Sequence, residues 1–263
     1  MADAAPRTAL VTGASAGIGA AFAAQLAARG DGVVLVARDE ARLDALAADL
    51  SSRHGVATEV LAADLTDAAQ LATVEARVAD RERPIDVLVN NAGFGTNGRF
   101  AELDRESESR EIGLNIVALV RLTHAALGVM VERHSGAVLN VSSLAGFQPT
   151  PGNATYGATK AFVTSFTQSV HEELRGSGVK ICVVCPGFTR TEFQENAGID
   201  SSKAPGFLWQ SAEEVASGAL AALDHNRAVY VPGMLNRVTA GFVSVLPDAF
   251  TRRVAAFVVE HSE

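Results

Sequence analysis

The chain has 263 residues, of which 48% are apolar and 20% charged, and its formal charge is −8. This composition excludes a disordered chain, and the acidic balance disfavours a nucleic-acid-binding protein, because neutralising phosphates requires clustered Lys and Arg. Apolar runs such as 238–246 fall short of the roughly 20 residues that cross a bilayer, so no membrane-spanning segment is predicted. Cys182 and Cys185 are interpreted as packing residues, and no metal site is predicted.

Short apolar runs alternate with helix-forming segments along the chain. Strands are predicted over 8–11, 33–36, 56–61, 87–89, 137–141 and 179–184, and helical segments over 20–29, 40–53, 62–79 and 114–122. Right-handed crossovers place such helices on both faces of a parallel sheet. We therefore predict an α/β fold, a Rossmann-like three-layer sandwich with a doubly wound parallel sheet. No composition break divides it, so residues 1–263 are predicted to form a single domain.

A Gly-rich turn, TGASAGIG over 12–19, follows the first predicted strand and opens into a helix. Gly13, Gly17 and Gly19 allow the backbone to turn tightly against a pyrophosphate, while the helix N-terminus supplies N–H donors. Ser15, Ala16 and Ile18 complete this predicted phosphate-binding turn. The spacing departs from the general G-x-G-x-x-G pattern. Taken alone, the turn can therefore also be interpreted as an ordinary strand–helix connection.

The second predicted strand ends in Ala37, Arg38 and Asp39. Dinucleotide enzymes that use NAD place an acid here on the ribose hydroxyls, whereas an Arg accommodates the 2′-phosphate of NADP. Ala37 lacks the acid and Arg38 can pair with a phosphate, so NADP(H) is favoured and NAD(H) stays possible. Asp39 is the rival acid, although we interpret it as the start of the next helix. The alternative interpretation is that Arg38 is a solvated, exposed side chain with no role in cofactor binding.

Tyr156 and Lys160 are four residues apart and share one face of a predicted helix. A phenol has an ordinary pKa near 10, and we expect the ammonium of Lys160 to lower the pKa of Tyr156. Upstream, Ser142 or Ser143 is a candidate hydrogen-bond donor to a substrate carbonyl, although either serine can simply form a turn. Asn115 lies within a predicted helix, where Asn is unfavourable unless its amide is used.

Together these motifs resemble the short-chain dehydrogenase/reductase family over residues 8–230. The match consists of TGASAGIG, Asp64, NNAG over 90–93, Asn115, the serine, YGATK over 156–160 and PGFTRT over 186–191, in family order. The resemblance implies that Tyr156 is the general acid/base and that Lys160 lowers its pKa and holds the nicotinamide ribose. It also implies that Ser143, rather than Ser142, polarises the carbonyl, and that Asn115 positions a water in a proton relay to Lys160.

The same resemblance implies a cofactor surface. Asp64 would meet the adenine amino group with Leu65 beside the ring. Ala16 stands where some NADP-preferring members carry a second basic residue, which leaves Arg38 as the main determinant of the preference for NADP(H). The remaining implied cofactor contacts are Asn90, Asn91, Ala92, Gly93, Tyr156, Lys160, Pro186, Gly187, Thr189 and Thr191. Phe188 departs from the aliphatic residue usual in the family.

Substrate selectivity is expected in three loops, over 94–100, 144–153 and a lid about 188–210. A C-terminal helical extension about 231–263 follows. Aromatic and apolar residues give these loops a hydrophobic character, although several of them can equally pack the lid: Phe94, Phe147, Phe193, Phe207, Leu208 and Trp209. A hydrophobic carbonyl or alcohol is therefore the favoured substrate class.

The sequence thus predicts an NADP(H)-dependent oxidoreductase that moves a hydride between the nicotinamide and a carbonyl or alcohol. The first alternative is a 3-oxoacyl thioester reductase acting on a carrier protein or CoA, which the acidic balance weakly disfavours. The second is a non-catalytic NADP(H)-sensing protein, against which the intact Ser143, Tyr156 and Lys160 argue. The resemblance implies a homodimer or homotetramer. No leader peptide is evident at the N-terminus, so a cytoplasmic location is expected.

Overall fold

Seven parallel strands form one sheet between two helical layers in the part of the chain that the structure describes. A computed structural model describes residues 6–193, 206 and 209–243, with residues 239–243 given by their backbone alone. The strands are β1 (Thr8–Thr12), β2 (Gly32–Ala37), β3 (Thr58–Ala62), β4 (Val87–Asn90), β5 (Gly136–Val141), β6 (Val179–Val184) and β7 (Val229–Tyr230). Their order across the sheet is β3-β2-β1-β4-β5-β6-β7. The predicted Rossmann-like, doubly wound α/β fold is confirmed.

The helices occupy the crossovers between strands. They are α1 (Gly17–Ala28), α2 (Glu40–His54), α3 (Ala68–Val78), α4 (Arg105–Ile112), α5 (Leu119–Glu132), α6 (Ala154–Glu173), α7 (Ala212–Asp224) and α8 (Met234–Val243). A π-helical segment, Gly113–Ala118, joins α4 to α5, and short 3-10 turns lie at Phe100–Glu102 and Leu144–Phe147. The strand predicted from residue 56 begins at Thr58, where pairing with β2 starts. The two-residue β7 was not predicted, since so short a strand has no periodic pattern.

The core lies on both faces of the sheet, because successive strand residues point to opposite sides. Ala9 and Val11 of β1 belong to a buried cluster with α1, α2 and α7. Leu10, between them, belongs to a second cluster with α3 and α5. Burial on both faces explains why the central strands are continuous apolar runs rather than alternating ones.

One continuous helix, Arg105–Glu132, bears on the membrane prediction. By length and composition alone, it is long and apolar enough to cross a membrane. The sequence prediction considered only uninterrupted apolar runs and missed it. In the structure Leu122, Ala126 and Met130 of this stretch are buried against the sheet. A core helix passes the same test, so this helix alone is weak evidence for a membrane span.

A buried polar network ties together the carboxyl ends of β4 and β5. Asn90 Nδ2 donates to Asn140 Oδ1 at 2.9 Å and to Thr123 Oγ1 at 3.0 Å. Asn140 Nδ2 in turn donates to Thr167 Oγ1 at 2.9 Å. Buried amides are costly unless they are paired, so this network fixes the two strand ends relative to α5 and α6. The residues that follow both strands therefore start from defined positions.

Replacing Asn140 tests this network. We expect Asn140→Ala to lower the free energy of unfolding by about 1–3 kcal/mol, because the Asn90 amide and the Thr167 hydroxyl lose a partner in the interior. Urea unfolding followed by circular dichroism measures the change. Ser169→Ala is the matched control, since it removes an exposed hydroxyl of α6 that bonds Ser165 O, and it should cost less than about 0.5 kcal/mol. Equal midpoints for the two variants would contradict the assignment.

Candidate active site

A cleft of about 1310 Å³ opens at the carboxyl ends of the strands, where ligands bind in open α/β sheets. Most of the residues predicted to act on cofactor or substrate line it: Gly13, Ser15, Ala16, Gly17, Ile18, Arg38, Asp64, Leu65, Asn91, Ala92, Gly93, Ser143, Tyr156, Lys160, Pro186, Gly187, Thr189 and Thr191. Three predicted residues do not line the cleft, namely Gly19, Asn90 and Asn115. The topology thus brings the separate motifs to one site.

The Gly-rich turn leaves an anion-binding helix end open. Gly13 and Gly17 have φ of +65° and +55°, a region that favours glycine. A Cβ on Gly19 would lie 2.1 Å from Gly13 O, so this glycine allows α1 to pack against the turn rather than facing the cleft. The N-terminus of α1 has no side-chain cap and no acid in its first turn. Its N–H donors are available to a pyrophosphate, so the turn fits a dinucleotide.

The far end of the cleft is lined by charged side chains. Arg38 is exposed at the tip of β2, whereas Asp39 accepts a hydrogen bond from Arg42 N at 3.0 Å and caps α2. The prediction that Asp39 starts the next helix is therefore confirmed. Burial raises the pKa of Asp64, but hydrogen bonds from Thr66 and the charges of Arg38 and Arg110 outweigh it, and the pKa lies below its usual value. An ionised Asp64 between two guanidinium groups results.

Arg42 and Arg110 also line this end, and the sequence interpretation did not include them. Arg42 forms an ion pair with Glu192 at 2.9 Å, which joins α2 to the segment after β6. Both are helix residues in strongly charged segments, where an exposed side chain is the ordinary expectation. Only the packing of α2 and α4 beside the strand ends distinguishes them from other surface arginines.

Contrary to the prediction, Asn90 does not line the cleft. Its side chain is buried and its amide is used in the network with Thr123 and Asn140. The next residue, Asn91, faces the cleft instead, and its Nδ2 donates to Thr12 O at 3.0 Å and Gly13 O at 3.2 Å. Neighbouring residues at a strand end point in opposite directions, so the prediction for the Asn90 side chain is wrong.

Ser143, Tyr156 and Lys160 meet at the other end of the cleft. Ser143 and Tyr156 both line the cleft, and the Ser143 side chain acts on the pKa of Tyr156. Lys160 Nζ donates to Val141 O at 3.0 Å. Ser142, by contrast, is buried and its Oγ donates to Lys160 O at 2.7 Å. Between the two serines, the structure therefore places Ser143 beside the phenol and uses Ser142 for packing.

The charges of this centre differ from the sequence expectation. Burial raises the pKa of Tyr156 to about 12, with the Ser143 hydrogen bond acting in the opposite direction and Glu111 adding to the rise. Burial also lowers the pKa of Lys160 to about 8, although Glu111 raises it. Lys160 Nζ lies 5.6 Å from the centroid of the Tyr156 ring. Desolvation therefore outweighs the lowering of the Tyr156 pKa that the sequence predicted, and the effect of Lys160 itself stays a prediction.

Asn115 lies in the π-helical segment and holds the loop after β4. Its Nδ2 donates to Phe94 O at 2.9 Å and to Thr159 Oγ1 at 3.1 Å, and its Oδ1 accepts from Phe94 N at 3.2 Å. Full use of the amide explains an Asn inside a helix. A Cβ on Gly93 would lie 2.9 Å from Asn115 Oδ1 and 3.4 Å from Lys160 Nζ, so a glycine permits this close arrangement.

Aromatic side chains surround the mouth of the cleft beside Tyr156. Phe94, Phe147, Phe188 and Phe193 line it, and the Phe193 ring centroid is 5.4 Å from that of Tyr156. Trp209 packs on Phe188 with centroids 5.5 Å apart. Phe207 and Leu208, the rest of the proposed lid over 194–205 and the extension from 244 onward lie outside the described residues.

The two cysteines are packing residues. Both are buried, and burial raises the pKa of Cys182 to about 12 and that of Cys185 to about 11, which leaves both thiols unreactive near neutral pH. Within the described ranges, no group of three His, Cys, Asp or Glu side chains could hold a metal ion.

Comparison with known proteins bears on this site. The family model for short chain dehydrogenase matches residues 7–201. A 3-oxoacyl-[acyl-carrier-protein] reductase from Synechocystis is 35% identical over 240 residues, covering 90% of this chain and 97% of the relative. A solved short-chain dehydrogenase from Sphingobium yanoikuyae in complex with NADPH is 41% identical, with a TM-score of 0.82 over 92% of this chain and 97% of that one.

A second solved structure is the bulky-bulky ketone specific alcohol dehydrogenase from Comamonas testosteroni. It is 35% identical, with a TM-score of 0.78 over 92% of this chain and 96% of its own. The family model, the relatives and the solved structures all agree with the site in this structure, a cleft that contains Ser143, Tyr156 and Lys160. The chain therefore belongs to the short-chain dehydrogenase/reductase family and is an oxidoreductase acting on alcohol or carbonyl groups.

Proposed function

We propose that this chain is an NADP(H)-dependent reductase or dehydrogenase for a bulky, hydrophobic carbonyl or alcohol. The observation that carries the proposal is the meeting of Ser143, Tyr156 and Lys160 in the cleft that also contains the open N-terminus of α1. When bound, the nicotinamide supplies or accepts the hydride. The other roles belong to the chain's own residues, which bind, orient and exchange protons.

In the reducing direction, Tyr156 is proposed to donate its hydroxyl proton to the substrate oxygen. Ser143 holds that oxygen by a hydrogen bond, which stabilises the negative charge that develops there. Lys160, with a pKa lowered to about 8, exchanges protons near neutral pH more readily than an ordinary lysine. Asn115 is proposed as a positioning residue, because it holds the Phe94 backbone, and a Cβ on the preceding Gly93 would lie 3.4 Å from Lys160 Nζ.

The preference for NADP(H) is proposed from the tip of β2. Asp39 is occupied as the cap of α2, and Ala37 offers no carboxylate to a ribose hydroxyl. Arg38 is exposed on the rim of the cleft, where its guanidinium can pair with a 2′-phosphate. The solved relative with bound NADPH supports this preference.

The substrate class is proposed from the aromatic mouth. Phe94, Phe147, Phe188 and Phe193 favour an apolar substrate over an anionic one. The name of the Comamonas relative, a bulky ketone alcohol dehydrogenase, supports a large ketone. The second candidate is a 3-oxoacyl thioester, supported by the Synechocystis relative. A panel of bulky ketones, aldehydes and 3-oxoacyl thioesters, followed by NADPH absorbance, separates the two.

A homodimer or homotetramer in the cytoplasm stays a prediction. The apolar residues Ile112, Val117 and Phe162, exposed on the helical stretch around Asn115 and on α6, are the surface that such an assembly would cover. Sedimentation of the purified chain would measure its mass in solution.

Replacing Tyr156 tests the proposed proton donor. We expect Tyr156→Phe to lower kcat by at least about 100-fold while the Kd for NADPH changes little, because the hydroxyl is needed for proton transfer. The panel assay measures turnover and fluorescence titration measures binding. Tyr230→Phe is the matched control, since the chain has only two tyrosines and Tyr230 lies on β7. Full activity of Tyr156→Phe would reject the mechanism, and a wild-type chain that binds NADPH but turns over no substrate would favour a sensor.

Replacing Arg38 tests the proposed cofactor preference. Arg38→Ala should raise the Kd for NADPH roughly tenfold or more and leave the Kd for NADH nearly unchanged, because only the former has a 2′-phosphate to pair. Isothermal titration at two salt concentrations measures both values. Arg53→Ala, on α2 but paired with Asp49, is the matched control and should affect neither. An equal loss for both cofactors would show that Arg38 does not select between them.

A further inference from the structure

Two glutamates of α4 are buried beside the reacting centre, and neither has a place in the proposed mechanism. Glu111 is 0% exposed and Glu108 is 7% exposed. Thr96, in the loop after β4, donates from its backbone N to Glu111 Oε2 at 2.9 Å. Thr155, the residue before Tyr156, donates from its hydroxyl to Glu108 Oε2. The pair thus links α4 to the loop after β4 and to the start of α6.

The hydrogen bonds around Glu108 and Glu111 require one of the two carboxyl groups to carry a proton. Thr96 Oγ1 lies 2.5 Å from Glu108 Oε1 and 2.9 Å from Glu111 Oε2. A hydroxyl has one proton and can satisfy only one of two carboxylates, so the second contact requires a proton from a carboxyl group. The shorter distance is typical of O–H donation to an ionised carboxylate. Glu111 is the more deeply buried of the two, and burial raises its pKa, so we assign the proton to Glu111.

The position of Glu111 supports a role in the centre itself. It lies one helical turn before Asn115, and the two side chains hold Thr96 and Phe94 of the same loop. Gly95, between them, packs on Tyr156, because a Cβ there would lie 2.9 Å from Tyr156 Cδ2. Glu111 Oε1 has no hydrogen-bond partner among the described residues. A buried carboxyl with one unpartnered oxygen is therefore held one residue away from the backbone that contacts Tyr156.

We propose that Glu111 is a positioning residue of the Tyr156–Lys160 centre, which holds the loop over 93–96 against Tyr156 while protonated and opposes tyrosinate formation once it ionises. This inference rests on the proposed function, in which Tyr156 exchanges the proton. The titratable groups around Glu111 are Glu108 on α4 and Tyr156 and Lys160 on α6, with Cys185 behind Lys160. The loop residues Phe94, Gly95 and Thr96 contribute none.

The charge of Glu111 determines the direction in which it changes the pKa of Tyr156. Burial raises the pKa of Glu111, with the Glu108 charge adding to the rise and the Thr96 hydrogen bonds and Lys160 opposing it. Below that pKa Glu111 is neutral, and above it a negative charge stands near Tyr156 and Lys160 and raises the pKa of both. Oxidation of an alcohol needs tyrosinate as base, so an ionised Glu111 moves the rise of activity to higher pH.

The direct test uses the protein without any cofactor or substrate. In a Tyr230→Phe background Tyr156 is the only tyrosine, so the ultraviolet absorbance of tyrosinate reports Tyr156 alone. Adding Glu111→Gln keeps the side-chain shape and removes the charge, and it should give at least about twofold more tyrosinate at a fixed pH below the midpoint. Circular dichroism at each pH restricts the comparison to folded protein. Identical titration curves would overturn the inference.

The second test is the pH profile of alcohol oxidation. Glu111→Gln should move the acid limb of kcat to lower pH. The matched variant Glu108→Gln should not move it in that direction, because Glu111, and not Glu108, is one of the groups that act on the pKa of Tyr156 and Lys160. Equal shifts in both variants would indicate a general structural change and would overturn the proposal. If Glu111→Gln does not fold, Glu111→Met makes the same comparison without charge. Absence of turnover in the wild-type chain would count against the proposed function instead, and the cofactor-free titration would still decide the role of Glu111.

Discussion

The arrangement of the site depends on how the protein accommodates the buried ammonium of Lys160. The side chain is 4% exposed, and its Nζ donates to the carbonyl of Val141 at 3.0 Å. Burying an ammonium is costly unless acceptors lie nearby, and the carbonyl at the end of β5 provides one. Burial still lowers the pKa of Lys160 to about 8. A lysine held in this way can gain and lose protons near neutral pH.

Residues one or two positions after a parallel strand could be predicted from the sequence. The carboxyl ends of such strands meet at one edge of the sheet, so once β1, β4, β5 and β6 are recognised, the residues after them must share one cleft. Gly13, Asn91, Ser143 and Pro186 are of this kind. The choice between neighbours is harder, because it depends on the exact last residue of a strand. Asn90 was assigned to the cleft by family resemblance, and Ser142 was separated from Ser143 by family resemblance alone.

The buried glutamates could not be predicted for a different reason. The α4 sequence, RESESREI, is strongly charged and has the appearance of a solvated helix. Burial of Glu108 and Glu111 depends on Thr96 and Thr155, which lie 12 to 47 residues away in the chain. Asn115, in the π-helical turn, gave a weak signal in the sequence, because an Asn within a helix requires an explanation. Its partner Phe94 could be identified only from the three-dimensional structure. The burial that raises the pKa of Tyr156 likewise depends on the folded structure.

The net charge of −8 describes the surface as a whole and not the cleft. At one end Arg38, Arg42 and Arg110 stand with the open N-terminus of α1, which suits a polyanionic ligand. At the other end aromatic side chains surround Tyr156. The first end is formed largely by the ends of strands and helices, which the fold positions, whereas the second is formed by loops that can change without disturbing the sheet. A fold of this kind can therefore carry different substrate loops on the same sheet, and this is why the substrate class proposed for this chain is argued from the loop residues beside Tyr156 rather than from the sheet.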